Sequence, residues 1–272
     1  MPVDKPLLSR VRLEYAGVEY SKDAPQVDAM HADQVVDLTV YETTETDPNL
    51  QVQMQHLNVA PGDGGLRVEL MLAVQNPVDR AWIGKPGLDG SRATIALPLP
   101  IDAKNVQLSG DFHACCARIQ PGRVTELQGV LPGVSKFRVG YTMPIKNGAA
   151  DLAIKTIAPV QNFVMFMPAG LKTANVVGVE PMDASAMGAK DMQFFNAKDL
   201  PAGQDVKMSI AGIPQTRAGT GGMAGRAGSA ASSSDDTARI ALYVAGGGAA
   251  MIVMLGGAFI ALKTSKARKR AA

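Results

Sequence analysis

Cysteine and aromatic residues are scarce in this chain, and their scarcity excludes one class of protein. The 272 residues include two cysteines, one tryptophan and 5% aromatic residues. The two cysteines, Cys115 and Cys116, are adjacent, so they cannot form the disulfide framework of a small secreted domain. Such a chain must be stabilised by a hydrophobic core. About 210 residues precede a glycine- and serine-rich stretch near the C-terminus, enough for one large or two small hydrophobic cores.

A basic surface and a recognisable catalytic motif are also missing. The net charge is +2, and five of the 27 basic residues lie in the last ten positions, so the rest of the chain is slightly acidic. We therefore expect no binding to nucleic acid. His31 and His56 are isolated, and no glycine-rich loop follows a strand to hold a phosphate. We expect a protein that is not an enzyme.

Helical spacing of apolar residues is absent before residue 240, and period-two alternation takes its place. Four segments carry the pattern best: 36–40, 67–75, 137–143 and 162–167, the last apolar on both faces as in a central strand. Weaker candidates are 9–15, 50–59, 93–99, 105–109, 123–130, 152–157, 174–180, 191–196 and 206–211. Turn sequences such as Pro61-Gly62-Asp63-Gly64-Gly65 separate them. The pattern predicts an all-β antiparallel sandwich, either a first domain over 1–145 and a second unit over 146–212 or one extended unit.

The composition changes after the last predicted strand. Residues 213–237 are rich in glycine and serine, which predicts a flexible linker. The 23 residues from Ile240 to Leu262 carry no charge and would span roughly 34 Å as a helix, enough to cross a bilayer core of about 30 Å. We therefore predict a single transmembrane helix over 238–263 and a basic tail over 264–272.

Basic residues close to a membrane helix are retained in the cytoplasm. This rule places the tail inside and the large N-terminal domain outside the cytoplasmic (inner) membrane of a bacterium. No signal peptide is recognisable after Met1, so we expect that the natural N-terminus is missing. The alternative is a tail anchor with the large domain in the cytoplasm.

Small residues in the predicted membrane helix favour contact with other membrane helices. Ala241, Ala245 and Ala249 form a stripe, and Gly246 and Gly257 extend it with small-xxx-small spacing. Integral membrane proteins of a complex are the expected partners. The basic tail is primarily a topology signal and a possible contact for anionic lipid.

The densest group of possible metal ligands is His113-Ala114-Cys115-Cys116. In an extended strand, His113 and Cys115 would share one face, and with methionines such as Met143, Met165 and Met167 they would suit copper. We expect no cofactor, and a copper site at His113 and Cys115 is the alternative. Free thiols are the default expectation for the two cysteines, and a vicinal disulfide is the other possibility.

Several segments together resemble a known group of proteins. They are 40–44, 64–68, 74–77, 97–100 and 132–144. The chain resembles uncharacterised exported bacterial proteins that carry a carboxypeptidase-regulatory-like (transthyretin-like) β-module, further β-sandwich and one C-terminal membrane helix. The resemblance covers about residues 10–170 and the tail, with 12–20 similar to the last strands of the module. It implies a non-enzymatic envelope protein.

These features lead to one leading hypothesis and one alternative. The leading hypothesis is a single-pass, extracytoplasmic β-sandwich that serves as a non-catalytic binding or accessory subunit of a bacterial membrane protein complex. The alternative is a metal-handling or redox accessory, in cytochrome or copper delivery, that uses the His-x-Cys-Cys site.

Overall fold

The computed structural model describes residues 10–25, 35–87, 90–184 and 189–213. These residues form strands, turns and loops, and no α-helix occurs among them. The described part accordingly contains no helix with the length and apolar character needed to cross a bilayer. The predicted membrane helix, the basic tail and all of the predicted linker except Ile213 lie outside the described residues.

A seven-stranded sheet forms the larger layer of the fold. Its spatial order is β15-β16-β13-β4-β5-β11-β8. In chain order these strands are β4 (Gln51–Gly62), β5 (Gly65–Asn76), β8 (Lys104–Gly110), β11 (Gly133–Met143), β13 (Val160–Pro168), β15 (Glu180–Met182) and β16 (Met192–Leu200). Strands from both sides of residue 146 share this sheet.

Four smaller groups of strands complete the fold. One three-stranded sheet has the order β7-β10-β9, with β7 (Ile95–Pro98), β9 (Arg118–Gln120) and β10 (Arg123–Glu126). A second has the order β12-β17-β14, with β12 (Ala149–Lys155), β14 (Lys172–Val177) and β17 (Asp205–Ala211). A hairpin consists of β1 (Arg10–Tyr15) and β2 (Val18–Asp23), and a short parallel pair of β3 (Thr43–Thr44) and β6 (Ala81–Trp82).

Alternation along the strands builds one main core from the seven-stranded sheet and both three-stranded sheets. In β5 the residues Val68, Leu70, Leu72 and Val74 are buried, as the sequence pattern predicts, and the residues between them are more exposed. The same core contains residues of β10 and β17, such as Val124 and Val206. Each fully buried leucine or valine side chain contributes roughly 1.5–3 kcal/mol. The all-β expectation is therefore confirmed for the described residues, and the apolar faces of these three sheets enclose the main core.

The predicted antiparallel arrangement holds for most strand pairs of the described residues, but not for all of them. Strands β4 and β13 run parallel, with Val160 beside Val52 and Met165 beside Leu57. The other pairs in the seven-stranded sheet are antiparallel, so the sheet is mixed. Alternation records which face of a strand is buried, but not the direction of its neighbour.

Most predicted strands are present, and one of the four best is not. Segments 67–75, 137–143 and 162–167 lie within β5, β11 and β13. Segment 36–40 is not a strand, because its backbone has no sheet partner. Leu38 and Val40 instead pack on a second cluster, here called the small core, whose buried members are Val18, Tyr20 and Ala81.

The predicted turn between 61 and 65 is confirmed as the β4–β5 hairpin. Gly62 pairs with Gly65, and Asp63 and Gly64 lie between them. Gly64 has a φ of +77°, a conformation that L-residues with a side chain rarely adopt. A Cβ on Gly65 would collide with the backbone carbonyl of Met143 in the neighbouring strand. The two glycines are therefore needed for different reasons, one for backbone conformation and the other for close packing.

Candidate functional site

Two connections between the layers run side by side and form the candidate site. Residues 111–117 leave β8 at the edge of the seven-stranded sheet and enter β9 in a three-stranded sheet. Residues 127–132 leave β10 in that small sheet and return to β11 in the large one. Loops held by a rigid sheet scaffold are frequent locations of binding sites.

The Glu126 carboxylate joins the two connections. Its side chain is 2% exposed. Oε2 accepts the backbone N–H of His113 at 2.7 Å, and Oε1 accepts the backbone N–H groups of Leu127 at 2.9 Å and Gln128 at 2.8 Å. A buried carboxylate with three N–H donors holds the surrounding backbone in place.

The His113 imidazole adds charge to this arrangement. Its Nδ1 lies 3.7 Å from Oε2 of Glu126, which is an ion-pair distance and too long for a hydrogen bond. The interaction with Glu126 raises the pKa of His113, against the opposing effect of burial. Burial alone would raise the pKa of Glu126, but His113 and the backbone N–H donors outweigh burial and lower that pKa. The pair therefore favours an imidazolium beside a carboxylate.

Cys115 and Cys116 form a vicinal disulfide, so the expectation of free thiols was wrong. The pair lies in a tight turn in which the carbonyl of His113 accepts the N–H groups of Cys116 at 2.9 Å and Ala117 at 2.8 Å. Cys115 is exposed and Cys116 is partly buried. The Gln128 side chain points its Nε2 at Sγ of Cys116, at 3.8 Å. The disulfide thus touches the second connection.

A cleft of about 410 Å³ opens beside this group. Carboxylates of Glu19, Asp111 and Glu126 line it together with His113. Its apolar walls include Tyr20, Tyr41, Leu131 and Phe137. Among the described residues that line the cleft, none is a lysine or an arginine. The lining is therefore acidic on an aromatic and aliphatic base.

The β1–β2 hairpin closes one side of the cleft. The backbone N–H of Glu19 points at Oε1 of Gln128 at 3.4 Å, and Val18 packs against Gly129. The Tyr20 hydroxyl donates to the Tyr41 carbonyl and accepts the Tyr41 N–H, both at 3.1 Å. These contacts connect the hairpin and the segment around Tyr41 to the connection after β10.

The proposed metal ligands are placed differently from the sequence expectation. His113 and Cys115 lie in a turn instead of a strand, and the Cys115 sulfur is bonded to Cys116. The methionines of the copper hypothesis, Met143, Met165 and Met167, are buried in the main core. The described residues contain no group of three or more His, Cys, Asp or Glu side chains arranged to hold a metal. A copper site at His113 and Cys115 stays a prediction.

The helix-packing residues predicted from the sequence, Ala241, Ala245, Ala249, Gly246 and Gly257, lie outside the described residues. Sequence reasoning missed Glu126 and Gln128. One signal was available: period-two alternation from Val124 places Glu126 on the same face, so the sequence has an acid at a position where an apolar core residue is expected. Two of its hydrogen-bond partners, Leu127 and Gln128, follow it in the sequence, but His113 comes from the other connection, and no local pattern identifies that contact.

Comparison with known proteins adds little to this description. No family model and no curated protein sequence matches the chain. Among solved structures, leukotriene A4 hydrolase from Saccharomyces cerevisiae is similar at 10% identity and a TM-score of 0.36, over 60% of this chain and 29% of that chain. An M1 zinc metallopeptidase from Deinococcus radiodurans is similar at 14% identity and a TM-score of 0.34, over 61% and 43%. Aminopeptidase A from Legionella pneumophila is similar at 7% identity and a TM-score of 0.36, over 61% of this chain and 22% of that chain.

The chain thus spans less than half the length of these solved structures. Similarity at this level carries no argument about activity, substrate or partner. The resemblance to exported proteins with transthyretin-like modules stays a prediction.

Proposed function

We propose that this protein is a non-catalytic binding or accessory subunit of a bacterial membrane protein complex. The β-sheet domain lies outside the cytoplasm, and the helix over 238–263 anchors it in the inner membrane. The uncharged run from Ile240 to Leu262 and the five basic residues after it support the anchor and its orientation. The acidic cleft beside His113 is the observation that carries the binding role.

Two of the three carboxylates around the cleft, those of Glu126 and Asp111, are occupied by structural contacts. Both oxygens of Glu126 accept backbone N–H groups, and Oδ2 of Asp111 accepts the backbone N–H of Lys136 at 2.6 Å. A general acid or base must exchange a proton with substrate through an available atom. These carboxylates hold loops in position, which suits a surface of fixed shape better than a reaction centre.

The charge of the cleft selects its partner. Three carboxylates and one histidine line the cleft, and Nε of Arg12 lies 4.0 Å from Oε1 of Glu19, so acidic groups outnumber basic ones. Tyr41, which is partly exposed, supplies aromatic surface, whereas Tyr20 and Phe137 in the same lining are buried. A lysine or arginine side chain from a partner protein fits both properties, since a cation is attracted to carboxylates and to aromatic faces. Such a contact contributes to orientation and specificity more than to affinity.

Charge reversal at the cleft tests the binding role. Glu19→Lys places a cation on the cleft wall, and Asp63→Lys makes the same change in the exposed β4–β5 turn. In mild detergent, we expect the native chain and the Asp63→Lys variant to sediment within a larger complex, and the Glu19→Lys variant to be released. A native chain that sediments alone, or equal behaviour of the two variants, would refute the proposal.

Protease protection tests the orientation. Protease added to intact spheroplasts should digest the β-sheet domain and leave the C-terminal tail protected. The reverse pattern would place the domain in the cytoplasm and support the tail-anchor alternative.

A further inference from the structure

The two cysteines of the chain differ in accessibility although they are adjacent and bonded to each other. Cys115 is exposed to solvent, and Cys116 is partly buried against the connection after β10. A disulfide between two buried sulfurs is protected from external thiols, because exchange requires a thiolate to reach one sulfur atom. Here one of the two bonded cysteines, Cys115, is exposed.

The partly buried sulfur has a hydrogen-bond donor. Nε2 of Gln128 lies 3.8 Å from Sγ of Cys116, and the backbone N–H of Cys116 is bonded to the His113 carbonyl. A leaving thiolate at Cys116 would gain from the Gln128 donor, since hydrogen bonds to a charged acceptor are stronger than those to a neutral one. The Gln128 amide is itself held, because its Oε1 faces the backbone N–H of Glu19.

We propose that the Cys115–Cys116 disulfide is a redox-active site that exchanges electrons with a dithiol. A thiolate of the dithiol attacks Sγ of Cys115, the bond to Cys116 breaks, and the electron pair leaves on Sγ of Cys116, which takes a proton. The second thiolate of the dithiol then attacks the dithiol sulfur that is bonded to Sγ of Cys115 in the mixed disulfide. Cys115 leaves as a thiolate and takes the second proton. The chain gains two electrons and two protons, and the dithiol becomes a disulfide.

The disulfide lies beside the cleft, but the redox proposal does not depend on the proposed binding role of the cleft. His113 and Gln128 line the cleft, and both contact the turn that contains the disulfide. The proposal of two-electron chemistry rests on the exposure of Cys115 and on the hydrogen-bond donor at Sγ of Cys116. It can be correct whether or not the cleft binds a partner.

The site of attack is tested on the full chain in detergent. The oxidised protein is mixed with limiting glutathione as a one-thiol probe and quenched with acid, and fragment-ion mass spectrometry locates the adduct. We expect the adduct on Cys115. An adduct mainly on Cys116, or thiols that are already free when the chain is isolated with thiol-blocking reagent, would overturn the proposal.

The role of Gln128 is tested by kinetics. Dithiothreitol should reduce the native disulfide under conditions in which Trp82 fluorescence shows a folded chain. Gln128→Ala should slow this reduction by roughly two- to ten-fold, the effect of one lost hydrogen bond. Gln107→Ala, at an exposed position of β8, is the matched control and should leave the rate unchanged. Reduction that requires denaturant, or equal rates for the two variants, would contradict the mechanism.

Discussion

Substitution of Glu126 tests whether its carboxylate holds the two connections together. Glu126→Gln keeps one oxygen that can accept the N–H groups of Leu127 and Gln128. Its amide NH₂ then faces the backbone N–H of His113, so the bond at 2.7 Å is lost. A hydrogen bond to a charged group contributes about 1.5–3 kcal/mol, and we expect Glu126→Gln to lower the free energy of unfolding by about 2 kcal/mol.

Glu126→Ala removes all three acceptor contacts and leaves a cavity in a site that is almost fully buried. We expect a loss of about 3–5 kcal/mol, as for other buried groups that leave charged or polar partners unpaired. Urea unfolding of the full chain in detergent, followed by the fluorescence of the single tryptophan, measures both losses. Glu180→Gln, at an exposed position of β15, is the control and should change stability by less than about 0.5 kcal/mol.

The pH dependence supplies an independent check. The pKa of Glu126 is lowered in the folded chain, so its contribution is present above its ordinary value of 4.5 and is lost as the pH falls through the folded pKa. The pKa of His113 is raised, so its contribution is present below 6.5 and is lost as the pH rises through the folded pKa. The difference between the native chain and Glu126→Gln should therefore be largest from pH 4.5 to 6.5. A flat difference, or one as small as that of Glu180→Gln, would refute the assignment.

Three further predictions concern other parts of the chain. Burial lowers the pKa of His56, and its Nε2 has no hydrogen-bond partner among the described residues. His56→Leu should therefore resist urea better than the native chain at pH 5, with a smaller gain at pH 8. Gly65→Ala should lower the free energy of unfolding by about 2 kcal/mol or more through collision with β11, and Gly64→Ala by about 1 kcal/mol through backbone strain. Equal losses would contradict the packing argument. A chain that ends at Ser234 should leave the membrane fraction on ultracentrifugation, and its retention would refute the anchor.

The local features of the fold were accessible from the sequence. Alternating apolar residues identified β5 and β11, and a continuous apolar run identified β13, because one face of each strand is buried. The Asp63-Gly64 dipeptide identified the β4–β5 turn, because Gly64 adopts a positive φ there. In both cases the physical cause acts within a few residues.

The features that failed depend on partners distant in the sequence. Segment 36–40 alternates like a strand, but the Tyr20 hydroxyl and the small core bind this region instead of a neighbouring strand. For the same reason, the sequence identified only some residues of the candidate site. His113 and Cys115 were recognised as reactive residue types, whereas Glu126 and Gln128 obtain their roles from contacts that the chain makes after folding.

The parallel pair of β4 and β13 has a consequence for how the chain is made. Gln53 and Asn162, a contacting pair in these two strands, are 109 positions apart in the sequence. At a synthesis rate of about 5–20 residues per second, the edge of β4 that pairs with β13 stays unpaired for on the order of 5–20 s, until β13 has left the ribosome. An open strand edge is a template for pairing with other chains. Rapid overproduction should therefore be limited by aggregation of nascent chains, and slower translation at lower temperature should improve the yield of folded protein.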